Sequence, residues 1–160
     1  MDKQLGHIID ESVQLELNVG ELYKVFSRTF QEDAPFWSEL YEEELHHANL
    51  IKKVGELDFL TQNLIPNMLP VKLDDIRETN ESISACIGKC TSNPPSRDEA
   101  FNLALELEGS AGEIHYQEFM DNEQDDILSK TFQKLNAGDK DHYTRISAYM
   151  TEHGIEKHNN

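Results

Sequence analysis

Apolar residues recur at helical spacing through most of this chain. Between about Lys3 and Phe30 they fall at Leu5, Ile8, Leu15, Val19, Leu22, Phe26 and Phe30, a stripe along one face of a single long helix. Gln31 to Ala34 make a short polar break. Pro35 suits the first turn of a second helix, where its missing N–H costs nothing, and the stripe resumes at Trp37, Leu40, Tyr41, Ala48, Ile51 and Val54. So short a link implies an antiparallel hairpin. The stretch Asn63 to Pro70 holds two prolines and reads as a loop, followed by a shorter crossover helix from Leu73 to about Cys90. Ser96 with Glu99 forms a capping-box pattern that opens a third long helix, striped by Phe101, Leu105, Ala111 and Phe119. After the polar run Asp121 to Asp126, a fourth long helix carries Leu128, Phe132, Leu135, Ile146 and Met150 and stops at His153-Gly154. No segment alternates with period two over a strand length. The pattern therefore predicts an all-α protein, a four-helix bundle of two hairpins joined by a helical crossover, in one domain over residues 1–155 with a frayed tail at 156–160.

Two short patterns each occur twice, in the same order. Leu15-Glu16 followed by Gly20-Glu21-Leu22-Tyr23 returns as Leu107-Glu108 followed by Gly112-Glu113-Ile114-His115, and Leu40, Glu44, His47, Ile51 returns as Leu135, Asp139, His142, Ile146. The repeats imply halves related by a pseudo-twofold. At about 100° per residue, Glu44 and His47 share the face of Trp37, Leu40, Ala48 and Ile51, and Asp139 and His142 share that of Phe132, Leu135, Ile146 and Met150. Phe101, Ala104, His115 and Phe119 cluster around Glu108, whereas Glu16 lies near the edge of its stripe. Glu108 is favoured over Glu106 by phase and by the repeat. Glu21 and Glu113 are expected to be solvated, and Glu42, Glu43 and His46 mostly turn away from the core.

Ionised carboxylates in a bundle core cost several kcal/mol each, about that even after relaxation, unless a counter-charge is present. No Lys or Arg occupies those stripes, so the neutralisers are protons, the two histidines or metal. Four carboxylates and two neutral imidazoles balance two divalent ions. Oxygen ligands with some nitrogen and no sulfur suit iron or manganese better than a closed structural zinc site, although zinc can occupy such a set. Glu16, Glu44, His47, Glu108, Asp139 and His142 are the expected metal ligands. Tyr23, two turns after Glu16, can hydrogen-bond a ligand carboxylate or serve as an ordinary core tyrosine; His115, at the equivalent place after Glu108, is an extra ligand, a proton donor or a solvated histidine.

Composition narrows the partners. The 160 residues carry a formal net charge of −17, which repels nucleic acid and anionic membrane surfaces. No apolar run is long enough to span a bilayer, and no basic leader with an apolar core follows Met1, so a cytoplasmic protein is expected. Cys86 and Cys90, the only cysteines, stand i,i+4 on one face of the crossover helix and read first as small buried side chains, second as a redox pair or disulfide.

These residues resemble the rubrerythrin branch of the ferritin-like superfamily. The likeness covers about Ile8 to Gly55 and Ala100 to Met150, through Glu16 with Tyr23, Phe36-Trp37 through Glu44-Leu45-His46-His47-Ala48, then Glu108 and Asp139 with His142. It implies a site for two iron ions in which Glu16 and Glu108 are terminal ligands, Glu44 and Asp139 bridge, and His47 and His142 each bind one metal. It also implies a di-iron oxidoreductase that reduces hydrogen peroxide or oxidises ferrous iron with dioxygen or peroxide; a non-catalytic iron-binding and buffering protein is the alternative. Rubrerythrins proper append a rubredoxin domain with two Cys-x-x-Cys pairs; none is expected from these 160 residues, so electrons are expected to come from a separate redox protein. Asp139 stands where the family has glutamate, and His115 where it has a second tyrosine. A homodimer is expected from symmetry frequency alone.

Overall fold

The computed structural model describes residues 3–61, 73–120 and 127–158; the side chains of 3–5, 54, 57–61, 110–120, 127–129, 131–133, 135–136 and 139 lie outside the described residues. The chain is all-helical. Among the described residues run α1 (Lys3–Thr29), α2 (Ala34–Thr61), α3 (Leu73–Ser92), α4 (Arg97–Met120) and α5 (Ile127–Glu152), with no strand. The loop expected from Asn63 to Pro70 and the link from Asp121 to Asp126 fall outside the described residues. α1 packs along α2 and α4 along α5, α2 meets α5, and α3 lies against α1.

The helix ends follow from local chemistry. At the α1–α2 link the Asp33 N–H donates to Phe30 O at 3.1 Å, and Trp37 N–H donates to Asp33 O at 3.1 Å, so the chain reverses within a few residues. The buried Asp33 carboxylate accepts two hydrogen bonds from Arg97, at 2.8 and 2.7 Å, and one from the Tyr149 hydroxyl at 2.9 Å. One side chain thus ties the first hairpin to the start of α4 and the end of α5. The capping box forms as its sequence predicts: Ser96 N–H donates to Glu99 Oε2 at 2.7 Å and Glu99 N–H to Ser96 Oγ at 3.3 Å. The turn that closes α5 runs through Gly154, whose φ of 64° is open to glycine without a Cβ penalty, and Ile155 N–H reaches back to Met150 O at 2.9 Å. Ile155 is buried beside Met150 in the core.

Past Gly154 the chain keeps contact with α4. Asn102 donates to Glu156 O at 2.7 Å and accepts from His158 N–H at 2.7 Å, so the chain is held against α4 as far as His158. The anchor is an asparagine on a different helix, which no periodicity within the tail could register.

α3 docks through Ile76 and Ile83 and through Asn80, whose amide donates to Glu11 O and to Glu11 Oε2, each at 3.0 Å. Cys86 and Cys90 are free thiols with sulfurs 3.9 Å apart, well beyond the bonded separation of about 2.05 Å. Burial pushes the Cys90 thiol up to about 11, so it is a poor nucleophile at neutral pH.

The core is a wall of rings. Trp37 lies 4.4 Å from Phe101, 5.1 Å from Phe26 and 5.6 Å from Tyr23 between ring centroids, and Phe36 stacks on Tyr149 at 4.1 Å. Fully burying such a side chain contributes about 1.5–3 kcal/mol. Trp37, Phe26, Phe101 and Tyr23 are all inaccessible to solvent. They hold α1, α2 and α4 together beside the polar cluster described next.

Candidate metal centre

Five of the expected ligands meet in the core. Glu16 comes from α1, Glu44 and His47 from α2, Glu108 from α4 and His142 from α5. Glu16, Glu44, Glu108 and His142 are buried, and His47 retains only slight exposure. They form two trios with one common member: Glu16, Glu44 and His47 on one side, Glu44, Glu108 and His142 on the other. Glu44 is shared through different oxygens, Oε2 lying 3.3 Å from His47 Nδ1 and Oε1 lying 2.9 Å from His142 Nδ1. Glu16 Oε2 stands 3.5 Å from His47 Nδ1, and Glu108 Oε1 stands 3.3 Å from His142 Nδ1. The two imidazoles lie nearly parallel, with centroids 5.5 Å apart.

α1 approaches α2 closely at this level because Gly20 presents no side chain; a Cβ there would sit 3.2 Å from the Cβ of Glu44. Tyr23 is placed by the same helix. Its hydroxyl donates to Glu108 across the core, while its ring stacks on Trp37. Glu106 is exposed, as the choice of Glu108 requires, and Glu21 is about half exposed at its side chain. His115 lies in α4 and Asp139 in α5, but their side chains are outside the described residues.

The electrostatics of this cluster are those of protons standing among carboxylates. Burial opposes a charge on His47, yet Glu16 and Glu44 outweigh it and raise the imidazolium to about 10. His142 is likewise penalised by burial and raised to about 11 by Glu108 and Glu44. Burial raises Glu16 to about 7, partly countered by His47 and reinforced by Glu44. Glu44 resists its own burial because both histidines face it, and its pKa falls below the ordinary carboxylate value.

The donor set fits a pair of cations. His47 Nδ1 and His142 Nδ1 are buried without a well-aligned hydrogen bond among the described residues, although carboxylate oxygens stand close to both. An ion with ligands at about 2.1 Å has neighbouring ligand atoms roughly 3 Å apart. The nitrogen–oxygen separations of 2.9 to 3.5 Å match that spacing. Oxygen donors with one imidazole on each side suit iron, manganese or zinc in that chemical sense.

The sequence did not single out Glu43. Its carboxylate takes His142 Nε2 at 2.7 Å and Arg145 Nη1 at 2.7 Å, and Arg145 reaches Glu39 at 3.1 Å and Asp141 at 3.2 Å. Burial acts to raise the pKa of Glu43, but Arg145 and His142 prevail and hold it below the ordinary value. An ionised Glu43 accepts from His142 Nε2 and so fixes the ring with Nδ1 aimed at Glu44 and Glu108. Its phase on α2 is off the core stripe, so only the nearness of α5 reveals it. No family model, no curated protein and no solved structure matches this chain.

Proposed function

We propose that this protein is a ferritin-like dinuclear metal protein of the rubrerythrin type, a di-iron oxidoreductase that reduces hydrogen peroxide or oxidises ferrous iron, with electrons supplied by a separate redox protein. The observation that carries this reading is Glu44, a buried carboxylate offering one oxygen to each of two histidine-containing trios whose Nδ1 atoms lack well-aligned hydrogen bonds. Two hairpins meeting through α2 and α5 agree with such a bundle.

In this reading Glu16, Glu44 and His47 hold one ion and Glu44, Glu108 and His142 hold the other, with Asp139 expected from its sequence position to add a bridge. Bound iron would supply the redox equivalents and polarise the oxidant. The protein's own part is positional. Glu43 and Arg145 orient the His142 ring, Tyr23 steadies the Glu108 carboxylate and can donate its hydroxyl hydrogen bond, and the aromatic wall around Trp37 limits water on that side.

Metal analysis of protein purified without chelator is expected to give close to two iron per chain. Mixing the reduced iron-loaded protein anaerobically with hydrogen peroxide should consume peroxide stoichiometrically, and repeatedly when reductant is supplied. A chain that binds no iron overturns the reading. A chain that binds two iron but does not turn over peroxide or dioxygen is an iron-binding protein instead.

A further inference from the structure

The two halves of the centre differ at one backbone position. In the repeat that aligns Glu44 with Asp139 and His47 with His142, the residue aligned with Glu43 is Gly138. Glu43 reaches from α2 to His142 Nε2; Gly138 faces His47 from α5 with no side chain at all. A Cβ at Gly138 would lie 2.8 Å from both Cε1 and Nε2 of His47, closer than packed atoms tolerate. The His47 ring therefore rests directly against the α5 backbone. Among the described residues no carboxylate takes its Nε2. Gly138 and the two histidines line a surface cavity of about 490 Å³ between α2 and α5, rimmed by Glu42, His46 and Asp141.

We propose that Gly138 makes the two metal positions unequal, so that the ion held by Glu16, Glu44 and His47 is the weaker, exchangeable one and is reached through this opening, whereas the ion held by His142 is fixed. The inference rests on the dinuclear reading above. It follows from what orients each imidazole. A ring whose far nitrogen is hydrogen-bonded to a carboxylate is a better-oriented and more basic ligand, and loss of such a partner typically lowers metal affinity about 10–100-fold. His142 has that partner in Glu43, itself anchored by Arg145. His47 has a glycine in its place and an open edge beside it.

Calorimetric and optical titration of the metal-free full chain with cobalt(II) tests this. The wild type is expected to show two binding events at least about tenfold apart. His47→Ala should remove the weaker and His142→Ala the tighter. Gly138→Ala, by pushing the His47 ring off its seat, should weaken the weaker event alone. Glu43→Gln should weaken the tighter event by about 10–100-fold and so close the gap; it probes the inequality without relying on the Gly138 variant folding. Two events of equal affinity in the wild type, or a Gly138→Ala variant that loses the tighter event, overturn the inference while leaving a dinuclear centre intact. A wild-type chain that takes up no cobalt(II) and no iron overturns the centre and the inference together.

Discussion

Glu43 on α2 and His142 on α5 are joined at 2.7 Å through the imidazole nitrogen that points away from the carboxylate cluster. Arg145 grips the same Glu43 oxygen at 2.7 Å. A graded series follows along this chain of contacts. In the proposed dinuclear centre His142→Ala would remove a ligand, Glu43→Gln the charge that orients its ring, and Arg145→Gln would only loosen Glu43. Iron retained against a competing chelator should fall in that order, with Glu43→Gln about 10–100-fold weaker than wild type at the affected position. Arg145→Gln losing more than His142→Ala would contradict the arrangement.

The metal-free chain should be most stable in mildly acidic solution. Glu16, His47 and His142 all have folded pKa values above their ordinary ones, at about 7, 10 and 11. Raised values contribute stability that is present below the unfolded pKa and lost as pH climbs through the folded one. For Glu16 the loss runs from about 4.5 to about 7, and for the histidines from about 6.5 to about 10–11. Glu43 and Glu44, with lowered values, act the other way and weaken the fold only below about 4.5. Thermal melts of metal-free protein should therefore fall from pH 6 to pH 9. If the proposed centre takes up metal, the ion should reverse the trend, because it would replace the imidazolium protons and bind more tightly as pH rises. A melting temperature that climbs over this range without metal would refute the protonation scheme.

Tyr23→Phe separates the hydroxyl from the ring. The phenyl group keeps the stack on Trp37, while Glu108 loses a hydrogen bond inside the core. Urea unfolding of metal-free protein should show a loss of about 1–2 kcal/mol with an unchanged denaturant slope. Tyr23→Ala, which also empties the ring site, should cost about 3–5 kcal/mol.

Asp33→Asn tests the clasp that ties the first hairpin to α4 and α5, outside the carboxylate–histidine cluster. Arg97 and Tyr149 hold Asp33 below the ordinary carboxylate value against its burial. The substitution should cost about 2 kcal/mol at neutral pH. Because the folded pKa is depressed, that advantage exists above about 3.8 and disappears as pH falls through the folded value. Wild type and variant should converge in acid, and a difference that persists at pH 2 would rule out the charged pair as its source.

The helices were legible because each buries a stripe, and period 3.6 records burial on a single element. That is why Trp37, Leu40, Glu44 and His47 could be assigned to one face of α2, and Glu108 separated from exposed Glu106 on α4. Relationships between helices leave no such trace. Glu43 sits off the α2 stripe and acts because α5 passes within reach of its long side chain. Gly138 matters only because His47 lies across the gap from it. Asn102 and the segment to His158 meet for the same reason. The repeat carried the usable hint, since aligning Glu44 with Asp139 also aligns Glu43 with Gly138.

The most direct test of the shared-carboxylate centre is a crystal of the iron-loaded chain measured at the iron absorption edge. Two anomalous peaks are expected in the core of each chain, one beside His47 Nδ1 and one beside His142 Nδ1, with Glu44 contacting both. A core with no anomalous peak, or a single peak that Glu44 does not touch, would contradict the shared-carboxylate centre.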